Sequence, residues 1–204
     1  VALKIMPPNA IFPRATWVPP AQNQVNRSGW TGAQKIVRLP GAGRWRVSAS
    51  LMEITTEAAA LPWYAFFTSL EGRAHSFLMP WKRCQPVAAD AIVGSAGAAA
   101  GAETALIAGM PASRTYLAAG RVLTFVLPSG VRQMVMLTQN LVANSSGVGT
   151  ATFRAPLRQA LAPGAIVLAK NPVCQMKLTQ DDVPLPEDEG KYNFAFDAEE
   201  SFEA

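Results

Sequence analysis

The chain is poor in the side chains that do chemistry. It has one histidine, two cysteines and 14 acidic residues in a length of 204. His75 and Cys84 are a conceivable nucleophilic dyad, but no acid or amide is placed by sequence to orient them. A single histidine inside an expected strand reads as a hydrogen-bonded structural residue. Cys84 and Cys174 do not make a disulfide framework, and reduced, buried thiols are expected. The short paired spacing of a zinc site is missing. The stretch from Gly94 to Gly101 is glycine-rich, but it lacks both a Gly-Lys-Ser/Thr ending and the Gly-x-Gly-x-x-Gly spacing that brings backbone N–H groups to a phosphate. A small-residue loop is the reading there. There is no Gly-x-Ser-x-Gly nucleophile elbow. No run of about 18 apolar residues exists to span a bilayer, so no membrane insertion is expected. Val1 to Ala10 has no apolar h-region, so it does not read as a secretory signal. The expectation is a protein that is not an enzyme and needs no cofactor or metal.

Proline and glycine are plentiful, at 16 and 15 residues, and half of the chain is hydrophobic. That combination predicts a proper core built from short strands and turns. The first 33 residues read as an extended arm with turns. Gln34–Leu39 reads as a short strand, and Arg44–Ile54 as a strand with Trp45, Val47, Ala49 and Leu51 on one face. A helix is expected from Thr55 or Thr56 to about Leu70, with Leu61, Tyr64, Ala65, Phe67 and Leu70 inward. Pro62 suggests that it begins nearer Leu61. Ala74–Met79 is a further strand.

After Pro86 the chain turns rich in alanine and glycine. Strands are expected at 104–108, 122–127, 131–138, 148–154 and 165–169, with 122–138 a hairpin. Their spacing argues a small closed barrel. A strand at 173–178 follows. Near the end, Tyr192, Phe194 and Phe196 alternate with polar or small residues, giving a strand with one aromatic face. Its richest aromatic partners are the Trp45 strand and the helix bearing Trp63, Tyr64 and Phe67. The C-terminus is therefore expected to return to the N-terminal domain. The fold class is mainly β: a β-sandwich-like hub domain with one helix, at 1–86 and 172–204, interrupted by an inserted barrel at 87–171.

Charge is divided along the chain. Residues 1–180 hold 17 of the 18 basic residues and five of the 14 acids, a net of +12, while residues 181–204 hold one lysine and nine acids, a net of −8. Such a division suits head-to-tail pairing of copies, and equally a tail folded on its own body. Nucleic-acid recognition is less well served. The barrel's basic residues, Arg114, Arg121, Arg132, Arg154, Arg158 and Lys170, are scattered. Its aromatics are only Tyr116, Phe125 and Phe153, without the exposed interleaving that a stacking platform needs. A sugar- or single-strand-binding barrel module remains the alternative, although the barrel has no tryptophan.

Several stretches occur in an informative order. They are Ser28-Gly29-Trp30-Thr31-Gly32-Ala33-Gln34, Gly43-Arg44-Trp45, Trp63-Tyr64-Ala65-Phe66-Phe67 with Leu70-Glu71-Gly72, and then Phe77. Ala119-Gly120, Ala155-Pro156-Leu157-Arg158 and Asn193-Phe194-Ala195-Phe196 with Glu199-Glu200 follow. In this order the chain resembles the distal tail proteins of long-tailed bacteriophages and related tail-like particles. The resemblance implies a structural virion protein, made in the host cytoplasm and placed at the tail tip or baseplate. It implies a hexameric ring joining the tail tube protein to the tip hub protein, with a channel that DNA crosses only in transit. It also implies that the inserted barrel is of the oligonucleotide/oligosaccharide-binding (OB-like) type. It leaves open whether that barrel is vestigial, holds neighbouring tip proteins or touches host surface glycans. Within such a ring, Arg44, Arg46, Lys82 and Arg83 are candidate subunit-interface residues against Glu199, Glu200 and Glu203. The expected hub core is Trp45, Trp63, Tyr64, Phe67, Tyr192, Phe194 and Phe196.

Overall fold

The computed structural model describes the chain apart from residues 9, 22, 40, 82–84, 185–189 and 204. The elements of the N-terminal part are β1 (Leu3–Lys4), β2 (Arg14–Val18), β3 (Asn23–Arg27), β4 (Gln34–Arg38), β5 (Arg46–Ser50), α1 (Glu57–Leu70) and β6 (Ser76–Pro80). Next come β7 (Ala91–Val93), β8 (Thr104–Ala108), β9 (Thr115–Leu117), β10 (Val122–Val126), β11 (Arg132–Met136), β12 (Leu141–Val142), β13 (Gly149–Thr152) and β14 (Ile166–Leu168). The chain closes with β15 (Val173–Leu178) and β16 (Ala195–Glu200). The fold is mainly β, with one helix among the described residues.

The first sheet has the order β1-β6-β15-β16-β5-β2 and takes strands from both ends of the chain. β1 runs parallel to β6, and the other pairs are antiparallel. Side-chain alternation decides which face is covered. Val47 and Ala49 of β5 point inward with the flanking Trp45 and Leu51, and Phe196 and Ala198 of β16 pair beside them. Phe77, Met79, Cys174, Met176 and Leu178 complete that face, and α1 lies in the same core.

The helix departs from its expected face and start. Its inward stripe is Ala60, Trp63, Phe66, Phe67 and Leu70, whereas Leu61 and Ala65 are exposed. Turning Trp63 and Phe66 inward buries far more apolar surface than Leu61 and Ala65 would. The helix begins at Glu57, and Pro62 sits inside it. Pro62 is exposed and stands in the second turn, so the helix gives up the one bond that an N–H there would make to the Ala58 carbonyl. Thr56 is the N-cap by backbone position, with no side-chain cap bond. The end matches the Glu71-Gly72 signal: Glu71 is left-handed, and its N–H returns to the Thr68 carbonyl.

The second sheet has the order β11-β10-β14-β7-β8-β13. Its outer strands meet where Leu137 bridges Phe153 and the Thr138 N–H donates to the Thr152 carbonyl at 2.8 Å. The sheet thus curls around a second core that includes Ile107, Leu123, Phe125, Val135, Leu137 and Phe153. β9 and β12 form a short ribbon beside it.

The β10–β11 hairpin is shared between the two cores. Val122, Met134 and Met136 pack into the first, while Leu123, Phe125 and Val135 pack into the second. Burial on both faces explains why these strands read as near-continuous apolar runs rather than alternating ones. Polar bonds fix the wall in place. Trp45 Nε1 donates to the Met134 carbonyl at 2.7 Å, Gln85 Nε2 donates to the Val122 carbonyl at 2.9 Å, and Thr124 Oγ1 exchanges bonds with both backbone groups of Val173.

The N-terminal stretch is more ordered than its composition suggests. β1 and β2 are edge strands of the first sheet, and β3 and β4 form a separate two-stranded arm. The arm turns through Ser28–Ala33, where the Ser28 N–H donates to the Ala33 carbonyl at 2.9 Å. Proline and asparagine at the strand flanks hid these pairings from a reading by periodicity.

Candidate interaction surface

The acids expected to face a neighbouring subunit are engaged within their own chain. Glu200 continues the inward alternation of Phe194, Phe196 and Ala198, and it is 2% exposed. This corrects its expected place at a subunit face. Its Oε2 accepts the Trp45 backbone N–H at 3.1 Å, while its Oε1 makes no hydrogen bond among the described residues. Burial pushes the Glu200 carboxyl up to about 7, against the opposing pull of the Trp45 N–H and the Arg158 and Arg44 guanidiniums. Desolvation outweighs these partners because none of them makes a direct ion pair with the carboxylate.

The surrounding charges follow the same inward pairing. Arg44 Nη1 lies 3.4 Å from Glu199 Oε1 and donates to the Glu200 carbonyl. Lys177 Nζ lies 3.8 Å from Glu203 Oε1. Phe202 is covered by the Arg158 guanidinium at 3.8 Å and approached by Arg44 at 5.6 Å. Arg158 also donates to the Gly43 carbonyl, and burial lowers its pKa. Arg46 is exposed. Lys82 and Arg83 lie outside the described residues. A small cavity of about 240 Å3 beside this cluster is lined by Arg38, Arg154, Arg158, Glu200 and Phe202, among others.

The aromatic residues named from sequence gather in one place. Phe194 stacks on Phe67 at 5.6 Å and meets Tyr64 at 5.3 Å and Trp63 at 6.3 Å. Tyr192 meets Tyr64 edge-on at 6.1 Å, and Phe196 meets Phe67 at 5.6 Å. Trp45 lies 6.1 Å from both Trp17 and Trp81. Sequence reasoning missed Phe12, Trp17, Phe66 and Trp81 in this cluster. The alternation of Ala15 and Trp17 within β2 was the available signal.

Other candidate groups are structural or lie outside the described residues. His75 Nδ1 accepts the Ala2 N–H at 3.3 Å, and its Nε2 lies 4.0 Å from Glu71 Oε2. Cys84, the other half of the conceivable dyad, is outside the described residues. Cys174 is fully buried, and burial raises its thiol pKa. Among the described residues no cluster of three or more His, Cys, Asp or Glu stands at metal-ligating range. In the barrel, Phe125 and Phe153 are wholly buried. Tyr116 donates its hydroxyl to the Ala89 carbonyl at 2.6 Å, and burial and then the Asp90 charge push it up to about 12. These three rings are therefore core, not a stacking platform. The Gly94–Gly101 stretch is a packed turn: Gly97 has φ of +65°, and a Cβ there would stand 2.6 Å from the Leu161 carbonyl oxygen.

What the molecule presents outward is the arm. Every residue from Asn23 to Arg38 is exposed, including Val25 at 55%, Ile36 at 64% and Trp30 at 97%. Its base is anchored to the barrel. Arg38 pairs with Glu103 and donates to the Arg154 carbonyl at 2.9 Å, and Glu103 also holds Arg154 at 3.3 Å. A scan of the chain against protein-family models and a search of curated proteins both return no match.

Proposed function

We propose that this chain is a structural component of a phage tail tip, in which identical copies form a ring joining the tail tube to the tip hub. The number of copies is six, on the resemblance of the ordered motifs to distal tail proteins. The channel of the ring passes DNA and does not hold it. The observation that supports self-assembly is the arm. A two-stranded hairpin with no core of its own is marginal in water, and this one carries apolar side chains along its length and a tryptophan at its tip. A neighbouring copy would supply the missing cover.

Contacts of that kind are apolar and strand-based, so assembly should tolerate salt, whereas a nucleic-acid binder loses affinity steeply. The test is solution mass across a concentration series at low and high salt. The proposal expects a large oligomer that persists in high salt. A monomer under every condition would overturn it.

A further inference from the structure

The arm has a complementary seat on the same molecule, in a groove that the described residues leave open. The arm's register puts Val25 opposite Ile36, and Asn23 opposite Arg38, with Arg27 opposite Gln34. One face of the hairpin therefore carries an apolar pair flanked by two arginines. Between Asn23 and Arg38 there are three basic residues and no acid. Arg38 is committed to Glu103, while Arg27 and Lys35 make no ion pair among the described residues.

The seat is a groove of about 460 Å3 on the outer face of the first sheet, where β16, β5 and β2 lie side by side. Thr16, Ser48 and Ser50 line it from β2 and β5, Val183 and Pro184 give it an apolar side, and Asp182 and Asp197 stand in it against Arg14 alone. An apolar, net-acidic groove thus matches an apolar, basic arm.

Position makes the match intermolecular. β2 and β5 are paired from Arg14↔Ser50 at one end to Val18↔Arg46 at the other. The arm is spliced into the chain at the Val18 and Arg46 end. The groove lies toward the Arg14 and Ser50 end, a strand length of roughly 14 Å away. The arm's exposure shows that it does not fold back into its own groove. Donor and acceptor at opposite ends of one strand pair give a heterologous, head-to-tail contact, the type that closes into rings.

We propose that the arm of each copy, through Val25, Arg27, Trp30 and Ile36, docks in the Asp182/Asp197 groove of the next copy. This pairing rests on the ring reading and names its contact.

Two variants and their mixture test it. Arg27→Glu/Ile36→Asp disables the arm, and Asp182→Lys/Asp197→Lys disables the groove. All four positions are exposed, and circular dichroism and a thermal melt confirm folding of each variant. Each variant alone is expected to lose assembly, with association weakened by about a hundredfold or more, since like charges then face each other. Mixed, the wild-type arm of one variant meets the wild-type groove of the other, and the acidic arm meets the basic groove, so association is expected to return by light scattering. Wild-type-like assembly of either folded variant would overturn the pairing while leaving a ring intact. A wild-type oligomer that is not a ring, yet is abolished by both variants and rescued by mixing, would uphold the pairing and overturn the ring. A wild-type monomer at all concentrations would overturn both.

Discussion

The Trp45 backbone N–H donates to the Glu200 carboxylate at 3.1 Å, beneath the wall where the two cores meet. The acid is nearly inaccessible to water, and its carboxyl is raised from an ordinary 4.5 to about 7. Because the folded state holds this proton more tightly than the unfolded chain, its contribution to stability is complete below about pH 4.5. It falls as pH rises from there to about 7, and it is gone above that. Glu200→Gln should remove this slope. Between pH 5 and pH 8 the wild type should lose about 2–3 kcal/mol more stability than the variant, as read by urea midpoints. Parallel pH profiles would show that Glu200 is not buried as described.

Phe194 and Phe196 lock the C-terminal strand onto the helix. Phe194 touches Trp63, Tyr64 and Phe67, and Phe196 touches Phe12, Phe67 and Phe77. Replacing either with serine leaves a cavity and a buried hydroxyl, at a cost of about 3–5 kcal/mol each. The double variant should be unfolded by near-UV circular dichroism. A native spectrum from it would remove β16 from the core.

The shared β10–β11 wall couples the barrel to the hub. Neither core keeps a complete lining without it, so both should melt in one transition. Calorimetric and van't Hoff enthalpies should agree. Two resolved transitions would mean that the barrel folds as a separate unit.

Gly97→Ala tests the packed glycine turn. The left-handed backbone and the close Leu161 carbonyl both oppose a Cβ, with a destabilisation of about 1–3 kcal/mol expected in urea titration. An unchanged midpoint would show that the turn has room.

Much of this architecture was legible because burial writes a period into the sequence. Trp45-Val47-Ala49-Leu51 and Phe194-Phe196 alternate, each pointing one face to the core. The same alternation carried two steps further, through Ala198, reaches Glu200, whose charge argued for the surface while its parity placed it inside. Strands β1 and β3 were not legible, and β2 showed only the short Ala15–Trp17 alternation. Their pairs lie far apart in sequence or have no buried face, and without a buried face there is no hydrophobic period to read. The helix stripe counted through Leu61 and Ala65 left out Phe66, while Trp63 entered the expected core only as an aromatic partner of the last strand. The arm's role as a surface could not come from periodicity at all. It follows from exposure, which only the folded chain defines.

Negative-stain electron microscopy of the purified chain tests the proposed ring assembly most directly. Rings with six-fold symmetry and a central hole are the predicted result. Separate, compact particles at every concentration would contradict it.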